Sequence, residues 1–144
     1  MIEPFIIRED VFKTNTLFLF GCDILFFKNY LKRKYNIDEE IDGEKIVVED
    51  YQGVAGAKFT YEYKKSTLRA VWVEDINSNK TEDLGTLVHE LSHLVIAICD
   101  DRGVPISSRP FRGGHMCETP SYLLEYFFTE CLKKLKKKYE NKKC

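Results

Sequence analysis

Five consecutive residues near the middle of the chain, His89-Glu90-Leu91-Ser92-His93, have the types and spacing that metal-assisted hydrolysis requires. On an α-helix, positions i and i+4 lie about 40° apart, so both imidazoles can reach one cation from the same face. Glu90 follows the first histidine and stands outside the ligand pair. There its carboxylate can take a proton from a water activated by the metal and return it to a leaving group, which is the work asked of a base in zinc hydrolysis. Zinc is the expected ion, and catalytic zinc takes a third protein ligand while keeping one position for water.

The third ligand has several candidates. The extension HExxHxxGxxH fails, because Ile96 occupies the glycine position and Cys99 the third-histidine position. Cys99 reads instead as a buried apolar-face residue. Glu118, Tyr122 and Glu125 are spaced i, i+4, i+7, one face of the last helix if that helix begins by residue 118. Packed against the histidine helix, that face would supply a carboxylate and a phenol together. Should Thr119 cap the helix with Pro120 as its first residue, Glu118 falls outside it and Glu125 gains ground. His115 and Cys117 are the remaining donors. His115 could also hydrogen-bond a ligand or the transition state, and its neighbours Arg109 and Arg112 read as solvated loop cations or as partners for a substrate carbonyl or carboxylate.

Local pattern then says what must hold these residues in place. Apolar residues at Leu84, Leu87, Val88, Leu91, Leu94, Val95 and Ile98 give residues 81–102 a helical stripe, capped by Asn79 or Thr81 and stopped by Gly103. Before it lies a hairpin: Ala57, Phe59, Tyr61 and Tyr63 alternate with polar residues, a turn follows at Lys65-Ser66, and Leu68, Ala70 and Trp72 resume the alternation. Residues 17–20 read as a strand broken by Gly21. Asp23 opens a helix whose buried stripe is Ile24, Phe27, Leu31 and Tyr35. Residues 38–50 hold seven acids around a short Ile46-Val47-Val48 run, a solvated loop with a short strand. Residues 104–118 read as a loop, and a closing helix runs from about 119 to about 138. Its end is crowded with lysines from residue 133 onward, favourable at the negative end of a helix dipole.

Length and composition agree with one domain over residues 1–144, with a basic tail at 133–144. The chain is 44% hydrophobic and 31% charged, ordinary globular values. A net charge of -1 gives no overall basic excess that would point to nucleic acid. No apolar run is long enough to span a membrane, and Glu3-Pro4 makes a poor start for a secretory signal, so an intracellular location is expected. Five widely spaced cysteines, an odd number without a CxxC pair, read as reduced thiols.

In having a strand pair, the helix segment Leu87-Val88-His89-Glu90-Leu91-Ser92-His93 and then Glu118-Thr119-Pro120-Ser121-Tyr122, the chain resembles the small HExxH zincins of phage and prophage type. The likeness covers roughly residues 54–128 and looks more broadly like the gluzincin arrangement, in which two histidines and a glutamate hold zinc. It is distantly similar to the ImmA/IrrE group. Pro120 departs from the pattern. The resemblance implies Glu118 as third ligand and Tyr122 as an oxyanion stabiliser, and an α+β zincin-like fold: a small antiparallel sheet, a helix near the N-terminus, the HExxH helix and a C-terminal helix. Two functions follow. One is a zinc-dependent peptidase acting on a protein or peptide, with Glu90 as general base and Tyr122 or His115 supporting the oxyanion. The other is a non-catalytic interaction module that keeps the zincin scaffold and makes its contacts through the acidic segment and the lysine tail.

Overall fold

The computed structural model describes residues 1–35, 40–41, 44–45, 53–55, 61–63, 66–104, 106 and 118–140. In chain order the elements are β1 (Phe5–Arg8), β2 (Asn15–Phe20), α1 (Ile24–Tyr35), β3 (Glu40–Ile41), β4 (Glu44–Lys45), β5 (Gly53–Ala55), β6 (Tyr61–Tyr63), β7 (Ser66–Val73), α2 (Thr81–Asp101) and α3 (Glu118–Glu140). The main sheet runs β1-β2-β7-β5, with β6 also on the outer edge of β7, and β3 pairs with β4 separately. The fold is α+β, as the sequence pattern indicates. The hairpin is present, Tyr63 pairing with Ser66 and Tyr61 with Leu68. Ala57, Phe59 and the Ile46-Val47-Val48 run lie outside the described residues.

The sheet is mixed, which corrects the expectation of an antiparallel one. β2 and β7 run parallel, from Asn15↔Leu68 to Phe20↔Val73. The connection between them carries α1 across one face of the sheet and ends in the β6–β7 hairpin, and that last reversal sends β7 along β2. Parallel strands are covered on both faces, so their sequences read as continuous apolar runs. Leu17, Leu19, Ala70 and Trp72 pack on Phe27, Leu31 and Tyr35 of α1. Phe18, Phe20, Val71 and Val73 pack on Leu87, Leu91, Leu94 and Ile98 of α2 and on Leu123 and Phe127 of α3. Ile24 is partly buried against the α1 cluster, so the predicted stripe is the one the helix buries.

Two short devices fix the entry to α1. Gly21, at φ +72°, turns the chain out of β2, donates its amide to Val73 O at 2.9 Å, and leaves a Cβ only 3.3 Å from the Met1 backbone. Asp23 Oδ1 then accepts the Phe26 amide at 2.7 Å and caps the helix. Trp72 ties the same corner to the sheet, its Nε1 donating to Cys22 O at 2.8 Å.

The strand β1 escapes a reading by alternation, because its four residues are bounded by Pro4 and the Glu9-Asp10 pair. It joins β2 antiparallel, Phe5↔Phe18 to Arg8↔Asn15, through a turn organised by Glu9. That carboxylate is fully buried and accepts the Phe12 amide at 2.8 Å, the Thr14 amide at 2.7 Å and the Thr14 hydroxyl at 2.8 Å. Burial alone would raise the Glu9 carboxyl, but these hydrogen bonds outweigh it and hold it below the usual carboxylate range. Lys13 takes the left-handed conformation in this turn, at φ +58°.

A group whose folded pKa is depressed stabilises the fold above its unfolded value, and that contribution fades as pH falls through the folded value. Glu9→Gln places an amide where three donors converge and should cost about 1–3 kcal/mol at neutral pH. The gap to the wild type should close on acidification. Thermal melts of both proteins from neutral pH down to about pH 2 check this; equal midpoints at neutral pH would remove Glu9 from the role.

Candidate metal centre

The core sets the rotation of α2. Leu87, Leu91, Leu94, Val95, Ile98 and Cys99 are buried on its inner side. At about 100° per residue, His89 and His93 each fall about 160° from Leu91, on the opposite side of the helix. Both histidines are exposed. Glu90 lies about 100° from Leu91, on the flank, and is buried, 6% exposed. The helix thus presents two imidazoles outward and keeps the intervening carboxylate out of bulk water.

Both ends of α2 are pinned. At the start, Lys80 is the N-cap residue without a side-chain cap bond, which corrects the assignment of that role to Asn79 or Thr81. Asp83 instead accepts the Asn77 amide at 2.8 Å and ties the preceding turn to the first helical turn. At the end, Gly103 takes φ +64° and donates to Asp100 O at 3.0 Å, while Val104 donates to Cys99 O at 2.8 Å. This is the Schellman pattern, and Gly103 ends the helix as its position suggests. The last turn of α2 carries no basic residue. Arg69 of β7, 4% exposed, supplies the cation: it pairs with Asp101 and approaches Ala97 O at 3.5 Å.

The two Nε2 atoms stand 3.1 Å apart, with the rings edge to face. Two nitrogens held at about 2.0–2.1 Å by one tetrahedral zinc are separated by about 3.3 Å, so the spacing of the pair is close to that of two ligands of one ion. Without an ion the same spacing suits an N–H···N hydrogen bond between opposite tautomers. Gly85, one turn before His89, has nothing within 4 Å of a Cβ position. Cys99 is fully buried, and burial pushes its thiol up, away from the thiolate a metal would need.

The carboxylates read from spacing do not join this pair. Among the described residues, no group of three or more His, Cys, Asp and Glu side chains is placed to hold a metal. Glu118 is indeed in the first turn of α3, so Glu118, Tyr122 and Glu125 follow one helix as their spacing requires. The stripe that α3 buries, however, is Leu123, Phe127, Cys131 and Leu135. Glu118 and Glu125 are exposed. Tyr122 is 46% exposed and stacks on Tyr126, whose hydroxyl donates to Arg8 O at 3.4 Å.

Helix direction gives the physical reason. Tyr126 meets Arg8 and the Lys134 ammonium lies over the Phe5 ring at 5.6 Å, so α3 runs antiparallel to β1. β1 is antiparallel to β2 and β2 parallel to β7, so α3 runs along β7. Asp101 meets Arg69 near the start of β7, so α2 runs against β7. The two helices are antiparallel, and the end of α3 that carries Glu118 lies at the Asp101 end of α2. From His93 to Asp101 is eight residues, about 12 Å along the axis. His115, Cys117, Arg109 and Arg112 lie outside the described residues.

No protein family, no curated protein and no solved structure matches the chain. Among the described residues, no helix is long and apolar enough to cross a membrane, and Cys22, Cys99 and Cys131 are free, buried thiols.

Protein purified without chelator should carry close to one zinc per chain, and the His89→Ala, His93→Ala double variant should carry none. Single variants Glu118→Ala, Glu125→Ala, His115→Ala and Cys117→Ser should separate the donors, the true third ligand losing about 10- to 100-fold in affinity or more. Elemental analysis with a zinc-competition titration measures both. Wild-type protein that stays metal-free when zinc is offered would dismiss the site.

Proposed function

We propose that the chain is a zinc-dependent hydrolase of the compact HExxH type, most simply a peptidase, on a zincin-like core. The observation that carries this reading is the pair of outward imidazoles, 3.1 Å apart, with the buried Glu90 carboxylate beside them on a helix locked by the core.

His89 and His93 supply two nitrogen donors, and the third comes from among Glu118, Glu125, His115 and Cys117. Bound zinc supplies a Lewis acid that polarises a scissile carbonyl and brings the pKa of a water ligand to about 7. Glu90 receives the proton released when water adds to the carbonyl carbon. It then delivers that proton to the amide nitrogen as the carbon–nitrogen bond breaks, giving an acid and an amine. Glu90 is buried beside the imidazoles, so bulk water has little access to the proton it carries between the two steps. His115 is the proposed donor to the oxyanion. Tyr122 held that role by likeness, and its place beside Tyr126 on the outer side of α3 gives the role no support.

Glu90→Gln should keep its zinc and lose hydrolysis by at least about 100-fold, the usual share of a general base. Digestion of a denatured protein substrate, followed by mass spectrometry of the fragments, measures this, with chelator-treated wild type as a second control. Undiminished cleavage by the variant sinks the mechanism. Zinc-loaded wild type that cleaves nothing transfers the assignment to the interaction module.

A further inference from the structure

A second surface lies on the other side of the sheet, on α1. Phe26, Asn29, Tyr30, Arg33 and Lys34 line a cavity of about 540 Å³. The Phe26 and Tyr30 rings are stacked, centroids 6.2 Å apart and planes 23° apart. The Lys34 ammonium lies 5.7 Å from the Tyr30 centroid. Phe26 is 37% exposed although it is large and apolar. α1 carries Lys28, Lys32, Arg33 and Lys34 and no acid, so this helix is strongly positive in a chain whose net charge is -1.

The chemistry restricts the occupant. It must be anionic to meet the cations, and it must carry flat unsaturated faces, because the apolar part of the lining is a pair of near-parallel rings rather than an aliphatic pit. Asn29 adds a carboxamide, which can both donate to and accept from a base edge. An acidic peptide satisfies the charges but leaves the ring pair to whatever apolar side chain it happens to carry. Aromatic rings flanked by Arg and Lys, with a carboxamide between, are the elements with which single-stranded nucleic acid is held: bases stack and phosphates meet cations.

We propose that this flank of α1 binds single-stranded nucleic acid without strict sequence preference, a base stacking on Phe26 and Tyr30 and the adjoining phosphates meeting Arg33 and Lys34. Whole-chain charge gives no sign of such a site because the acids elsewhere cancel α1. The proposal is independent of the zinc site, which lies across the sheet.

Fluorescence anisotropy of full-length protein with a labelled oligothymidylate and a labelled oligouridylate of about ten nucleotides tests it. The expected result is binding with a Kd on the order of micromolar at low salt, weakening as salt rises. Arg33→Glu with Lys34→Glu should weaken binding by at least about tenfold and flatten the salt dependence, since two phosphate contacts are lost. Phe26→Ser should weaken binding by at least about fivefold and leave the salt slope unchanged, because only stacking is removed. Both changes are at exposed positions, and thermal melts confirm that the variants fold. Absence of binding by the wild type overturns the proposal. So does binding that both variants retain, which would place the contact on the C-terminal lysines, or equal affinity for a labelled polyglutamate peptide of matched charge, which would make the surface a site for acidic proteins.

Discussion

The parallel pairing of β2 with β7 is the constraint from which the rest of the architecture follows. Parallel neighbours need a crossover, and here the crossover opens with α1, laid on one face of the sheet. The other face must then be closed by something else, and α2 and α3 do so. Phe18, Phe20 and Trp72 become almost completely buried as a result. Each large side chain so enclosed contributes about 1.5–3 kcal/mol relative to exposure, and the ring contacts of Phe18 with Phe5, Phe20 and Phe127 join β1, β2 and α3 in one cluster. Two of the charged groups buried in this layer have work at its edges. Glu9 organises the β1–β2 turn, and Arg69 answers the negative end of α2.

Closing the second face also decides which way α2 is turned. Six apolar side chains hold its inner side, Asp83 holds its start, and the Schellman turn with Arg69 holds its end. A rotation of one residue, about 100°, would drive an imidazole toward the sheet and bring a leucine out. The imidazoles therefore stand on the outer side because the leucines must stand on the inner one, and Glu90, between the two directions, is withdrawn from solvent. The placement of the two imidazoles is a by-product of core packing, and its precision is that of a core helix rather than of a loop.

What could be read from the sequence follows the range of the interaction. The α1 stripe, the end of α2 at Gly103, the hairpin into β7 and the HExxH pair are all local patterns, set by residues a few positions apart, and the structure reproduces them. The parallel pairing of residues 15–20 with residues 68–73 is not local, and nothing in either run says which way the other will lie. Spacing also put Glu118, Tyr122 and Glu125 on one helix, but which stripe of that helix meets α2 is decided by competition for burial. Leu123, Phe127, Cys131 and Leu135 win that competition, because leaving them exposed would cost far more than leaving a carboxylate in water. Lys80 stands at the N-cap of α2 in place of Asn79 or Thr81, and the Asp83 carboxylate reaches back to the Asn77 amide, which ties down the preceding turn without capping the helix.

The same competition narrows the source of the third donor. A ligand for His89 and His93 must reach the outer side of α2, since the inner side is filled by the core. α3 lies antiparallel to α2 and is committed to the core through its own apolar stripe, and its exposed carboxylates Glu118 and Glu125 form no group of donors with the pair. The short strands β5 and β6 already occupy the outer edge of β7. Of the donors open from the sequence, His115 and Cys117 are the two that precede α3 in the chain. A donor from that stretch would tie an ion held by His89 and His93 to the connection between the two helices, so that binding it would also stabilise their packing.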